Sequence, residues 1–114
     1  MTRIVYEPAE LRLQMEGHAG AGIYGEDPVC AALSMLSMTL ERRMAERAGS
    51  CFPTVARSPG RFLIVCRPDA QDEESCRASF ETVAAGLSLL AEERPEHVSF
   101  RREEDEDEEE ECEA

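Results

Sequence analysis

Residues 11–30 read LRLQMEGHAGAGIYGEDPVC. The first six alternate strictly: Leu11, Leu13 and Met15 are apolar, while Arg12, Gln14 and Glu16 are polar. That is the period-two pattern of a strand buried on one face. Four of the chain's seven glycines, Gly17, Gly20, Gly22 and Gly25, then fall within nine positions. Glycine lets backbone turn through positive φ and lets another chain approach closely, so a loop is expected here. It closes at Asp27-Pro28, where aspartate is a favoured helix N-cap and proline suits the first helical position. Strand, glycine loop and helix follow one another within twenty residues, which points to an α+β fold.

Working outward, Arg3 to Glu7 reads as a strand, and Glu7-Pro8-Ala9-Glu10 supplies the turn that pairs it with residues 11–16 as a hairpin. Downstream, Val29, Leu33, Leu36, Leu40 and Met44 step along one helical face, and the spacing predicts a helix to about Ala48 with Gly49 as its C-cap. Arg42, Arg43 and Arg47 give its last turn the charge that suits a helix C-terminus. Cys51 to Ala56 is a weaker strand, interrupted by Pro53 and so placed at an edge. Ser58-Pro59-Gly60 is a turn. Phe62 to Cys66 is an apolar run of the kind found inside a sheet. A second long helix is capped near Asp69 or Asp72, carries Cys76, Phe80, Val83, Ala84, Leu87 and Leu90 on one face, and stops at Pro95. His97 to Arg101 is a closing strand with Val98 and Phe100 on one side. The expected architecture is a two-layer α+β sandwich, with a small, mostly antiparallel sheet of four to five strands packed by two long helices.

The chain has 114 residues and a formal net charge of −13, about one domain's worth on a prior of roughly 100–200 residues per domain. All twelve basic residues are arginine. A lysine Schiff base and a P-loop lysine are thereby excluded, and no conventional basic groove for nucleic acid is expected. The deficit is local, because residues 103–114 (EEDEDEEEECEA) hold ten of the twenty-five acids. Residues 1–102 are read as one mildly acidic domain and 103–114 as a disordered acidic tail, since like charges repel and nothing there can be buried. The tail either keeps the chain soluble or attracts a basic partner, the latter weakening as salt rises. No run approaches the ~20 apolar residues of a membrane span and the N-terminus lacks a signal-peptide core, so a cytoplasmic location is expected.

Five cysteines, Cys30, Cys51, Cys66, Cys76 and Cys112, lie more than four residues from one another and from either histidine. That spacing is unsuited to zinc, and no metal or cofactor is expected. Cys30 stands apart from the rest. With Asp27 as N-cap it is the third helical residue, where the macrodipole and free N–H groups favour an anion and depress a thiol pKa. His18, at the end of the preceding strand, could fold back beside it as a thiolate–imidazolium pair, the working unit of a cysteine protease. The N–H of Cys30 or Ala31 could then serve an oxyanion. The plainer reading is a core cysteine and a structural histidine, with Asp27 competing for the same N–H groups and repelling a thiolate. The glycines fit neither GxxxxGK[ST] nor GxGxxG. Cys66 and Cys76 read as core, His97 as surface and Cys112 as exposed, while Cys51 has no clear place.

Gly17-His18-Ala19-Gly20, Tyr24-Gly25-Glu26-Asp27, and Val29-Cys30-Ala31-Ala32 with Ser34 together resemble the signature of the ribosomal-processing cysteine proteases (Prp-like), including their twelve-residue His-to-Cys spacing. The resemblance covers about residues 3–101 and is specific in 17–34. It implies a small α+β homodimer that removes the N-terminal extension of a large-subunit ribosomal protein precursor. It implies Cys30 as nucleophile and His18 as general base and acid, with Asp27 and Ser34 in supporting positions. The loop of Gly17, Gly20, Gly22 and Gly25 would close over an extended peptide bearing aromatic residues and a small residue before the cut. Pro28 departs from the aliphatic residue usual before Val-Cys, and the acidic tail lies outside the pattern. The alternative is a non-catalytic, ribosome-associated peptide-binding or chaperone protein with an acidic tail. A thiol redox sensor is the weakest reading, because no second cysteine lies close in sequence to resolve a sulfenic acid.

Overall fold

A computed structural model of the protein describes residues 1–22 and 27–104. The hairpin forms as the alternation requires, with β1 over Thr2–Glu7 and β2 over Arg12–Glu16, in antiparallel register from Arg3 opposite Glu16 to Glu7 opposite Arg12. A 3₁₀ turn at Pro8–Glu10 joins them, and Leu11 leaves it in a left-handed conformation (φ 48°). Then follow α1 (Pro28–Ala45), a short helix α2 (Ala48–Cys51), β3 (Thr54–Ser58), β4 (Arg61–Val65), α3 (Glu73–Glu93) and β5 (Val98–Arg102).

The strands form one five-stranded mixed sheet in the order β3-β4-β2-β1-β5. Three ladders are antiparallel, and β5 runs parallel to β1, with Val98 opposite Thr2 and Phe100 opposite Ile4. The parallel ladder follows from α3, which carries the chain back along the sheet and delivers β5 in the direction of β1.

Ile4, Tyr6, Leu13, Met15, Phe62, Ile64 and Val98 share one buried face of the sheet. Against it lie Val29, Leu33, Leu40 and Met44 of α1, and Cys76, Phe80, Val83, Ala84 and Leu87 of α3. Gly86 of α3 makes room for the Leu36 side chain of α1: a Cβ there would sit 3.0 Å from a Leu36 methyl. Tyr6 stacks on Phe80 with ring centroids 6.2 Å apart. Its hydroxyl donates to Glu81 at 2.8 Å, and Arg102 grips the same carboxylate.

Two boundaries differ from those predicted, while the start of the second long helix falls at the expected position without the expected cap bond. The first long helix ends at Ala45, and Gly49 lies inside the separate helix α2 rather than capping α1. β3 begins at Thr54, after Pro53, and occupies the sheet edge as proline requires. The second helix starts at Glu73; Asp72 stands at its cap position but makes no capping hydrogen bond, because its carboxylate pairs with Arg47. On α1 the buried face includes Ser37, whose hydroxyl donates to the Ser34 carbonyl and accepts from Arg57. Cys51 joins Cys66 and Cys76 as a buried free thiol, and the Cys76 sulfur sits 3.6 Å from that of Met44. Residues 105–114, including Cys112 and most of the acidic run, lie outside the described residues.

Candidate active site

Asp27 organises the junction between the glycine loop and α1. Its Oδ1 accepts from the N–H of Val29 (2.9 Å) and of Cys30 (3.1 Å), satisfying two donors that a helix start leaves unpaired. Its Oδ2 accepts from the N–H of Ala21 at 2.9 Å. Burial pushes the Asp27 pKa up, but hydrogen bonds from Cys30, Ala21 and Val29 outweigh it and hold the carboxyl below its usual range.

This arrangement corrects one expectation. The Cys30 N–H goes to the Asp27 side chain, and the Ala31 N–H donates to the Asp27 carbonyl at 3.0 Å. Neither is open to an oxyanion in this geometry, because the capping carboxylate takes the first turn for itself.

His18 follows β2 and is exposed, and its ring lies over the turn between β3 and β4. A Cβ built on Gly60 would meet His18 Nε2 at 3.0 Å. Gly60 has φ +74°, so the turn needs glycine for its backbone as well as for the space. The same turn holds the start of the loop, since the Gly17 N–H donates to the Gly60 carbonyl at 2.8 Å and Thr2 Oγ1 donates to the Gly17 carbonyl at 3.2 Å.

Cys30, which is half-buried, and His18 line one cavity of about 400 Å³ between α1 and the β3–β4 hairpin. Among the described residues no hydrogen bond joins the two. Ser34 lines the cavity one helical turn beyond Cys30, with Leu33, Met15 and Phe62 as its apolar wall. Arg57 crosses it with its guanidinium 4.4 Å over the Phe62 ring, bound to Ser37 and Glu41. Of the predicted loop glycines, Gly17 lines the cavity, Gly20 turns with φ +71°, and Gly22 is exposed. Gly25 is outside the described residues, as are Tyr24 and Glu26. No group of three or more metal-ligating side chains is present among the described residues.

Two site residues were not visible in the local sequence. Arg57 and Gly60 reach the cavity only through the pairing of β3 with β4, and the Pro59-Gly60 turn was their sole signal. His97, expected at the surface, is half-buried, and its Nδ1 lies 3.0 Å from the Ala19 carbonyl. The reason is the parallel return of β5, which brings residue 97 beside the loop.

A family model described as cysteine protease Prp matches residues 3–99. No curated protein matches the chain. Among solved structures, the essential ribosomal processing protease Prp from S. aureus with a covalently linked product peptide is similar over 90% of this chain and all of that one, at 22% identity and a TM-score of 0.78. The same S. aureus protease with a substrate peptide gives 20% identity and a TM-score of 0.71, again over 90% and 100% of the two chains. SMU.848 from Streptococcus mutans is 28% identical over 90% of this chain and 92% of its own, with a TM-score of 0.65.

Proposed function

Because the chain belongs to the cysteine protease Prp family, we propose that it is a cysteine endopeptidase in which Cys30 is the nucleophile and His18 the general base and acid. The observation that carries this reading is that both residues line one cavity, with Cys30 in the first turn of α1. The Cys30 sulfur, its proton passed to His18, attacks the scissile carbonyl carbon and forms a tetrahedral oxyanion. His18 returns the proton to the departing amine as the C–N bond breaks, leaving a thioester. It then takes a proton from water, whose oxygen displaces the sulfur and releases the carboxylic acid. The oxyanion needs a donor other than the N–H groups of Cys30 and Ala31, which Asp27 occupies. Ser34, on the same face one turn along, supports the peptide beside the sulfur.

We take the substrate to be a large-subunit ribosomal protein precursor whose N-terminal extension is removed. The support is the family and the likeness to a protein described as an essential ribosomal processing protease from S. aureus. The reading makes the enzyme a cytoplasmic homodimer that acts without cofactor, membrane or direct nucleic-acid contact. No described helix is long and apolar enough to cross a membrane, and the chain carries no lysine.

The test is cleavage of an extended ribosomal-protein peptide by the wild type, Cys30→Ala and His18→Ala, with circular dichroism to establish that each is folded. Both variants should lose turnover while keeping the fold. Unchanged turnover in Cys30→Ala would sink the reading. Alkylation separates it from a binding protein: a protease has one cysteine, Cys30, that reacts well below pH 8, whereas a binding module has only ordinary exposed thiols.

A further inference from the structure

We propose that His97 is a positioning residue for His18, acting through the carbonyl of Ala19; the proposal rests on the Cys30–His18 reading above. The short stretch from Gly17 to Ala21 that carries His18 is fastened on both sides of the imidazole. Before it, Gly17 is held through its N–H by the Gly60 carbonyl and through its carbonyl by Thr2. After it, the Ala19 side chain is buried in the core and the Ala19 carbonyl faces His97 Nδ1 at 3.0 Å. Farther on, the Ala21 N–H binds Asp27, the cap of the helix that carries Cys30.

A carbonyl oxygen can only accept, so Nδ1 of His97 carries the proton and donates. The His97 backbone is itself fixed: its N–H donates to the Arg94 carbonyl at 2.9 Å and its carbonyl accepts from the Thr2 N–H at 2.9 Å. The donor is thus mounted where α3 passes into β5, a rigid part of the fold rather than the loop. Without it the Ala19 carbonyl loses this partner, and the Ala19–Gly20 peptide plane, one residue beyond His18, is freer to rotate. A shift of this kind moves the imidazole relative to the sulfur, and catalytic geometry is sensitive to such movement.

The experiment compares wild type, His97→Phe and His97→Asn as full chains. The Asn side-chain N–H₂ sits where Nδ1 does and keeps the donor; Phe keeps the bulk and loses it. Two quantities are read: kcat and KM on the extended peptide, and the rate of Cys30 alkylation by iodoacetamide against pH, followed by mass spectrometry. His97→Phe should lower kcat on the order of 10- to 100-fold with little change in KM, and should diminish Cys30 alkylation below pH 8. His97→Asn should recover most of both. A folded His97→Phe with wild-type kcat and alkylation profile overturns the proposal, as does an Asn variant as impaired as Phe. If His97→Phe does not fold, His97→Ala serves in its place. A wild type with no low-pH alkylation of Cys30 overturns the dyad and this proposal together, whereas a normal wild-type profile with insensitive His97 variants overturns this proposal alone.

Discussion

Replacing Gly60 by alanine separates what the β3–β4 turn does for stability from what it does for His18. At φ +74° an L-residue pays a left-handed penalty of roughly 1–2 kcal/mol. Loss of glycine's freedom in the unfolded chain returns about 0.4–1 kcal/mol. The net cost is therefore about 1 kcal/mol, which for a domain of this size lowers Tm by roughly 4–8 °C. Gly20→Ala carries the same penalty at φ +71° but meets no heavy atom within 4 Å, so it should cost as much. Gly49→Ala, helical and equally unobstructed, should stabilise by about 0.5–1 kcal/mol. What distinguishes Gly60 is the new Cβ at 3.0 Å from His18 Nε2, which makes the exposed ring give way by a few tenths of an ångström. An exposed ring moves at little cost in stability, but this ring is the one proposed to exchange protons with the sulfur. Gly60→Ala should accordingly lose about tenfold in kcat, the scale expected for a catalytic group displaced by less than 1 Å. The assays are thermal melts followed by circular dichroism, and steady-state cleavage of the extended peptide. Full turnover in a Gly60→Ala variant destabilised like Gly20→Ala would refute the argument that the turn holds His18 in place.

Other outcomes follow from the same physics. The Asp27 carboxyl has its pKa depressed in the folded state, so its contribution is fully present above about pH 4 and is lost as pH falls through the lower folded value. Denaturation across pH 2–6 should show wild type and Asp27→Asn converging as the medium is acidified; a gap that stays constant would contradict the carboxylate's role. Tyr6 is pushed well above its ordinary pKa, first by burial and then by its bond to Glu81. Stability should thus fall as pH rises past about 10, the unfolded value, and Tyr6→Phe should cost about 1 kcal/mol in urea denaturation while removing that alkaline loss. Burial raises the Cys66 thiol to about 11 and the Cys76 thiol further still. With Cys51 they should resist alkylation at neutral pH until the protein unfolds, and modification of any of them in the native protein would contradict the packing of that cluster.

The local signals read best where one residue type decides the outcome. Alternation from Leu11 to Glu16 marked β2 to within a residue, and Asp27-Pro28 marked the start of α1 because cap and N1 proline act on their own neighbours. The end of α1 was misplaced because Gly49 mimics a C-cap, yet the helix breaks after Ala45 and a new turn absorbs the glycine. The parallel entry of β5 was not legible, since no property of Val98 to Arg102 encodes which way a strand faces its neighbour. The same blindness hid His97, whose partner lies 78 residues away. Cys30 and His18 stood out because helix position and glycine context are local, whereas the occupation of the Cys30 N–H by Asp27 needed the backbone geometry to be seen.

The place of β5 also sets a clock for the nascent chain. The β1–β2 hairpin is complete once residue 16 has been made, but the outer edge of β1 has no partner until residue 102. At about 5–20 residues per second, synthesis of the intervening chain takes roughly 4–17 s. Throughout that interval the edge of β1 offers unpaired N–H and C=O groups to any extended segment nearby. Tyr6 meanwhile waits for Phe80, Glu81 and Arg102, all of which are made late. Final closure of this sheet is therefore timed by completion of its last strand rather than by the speed of local pairing.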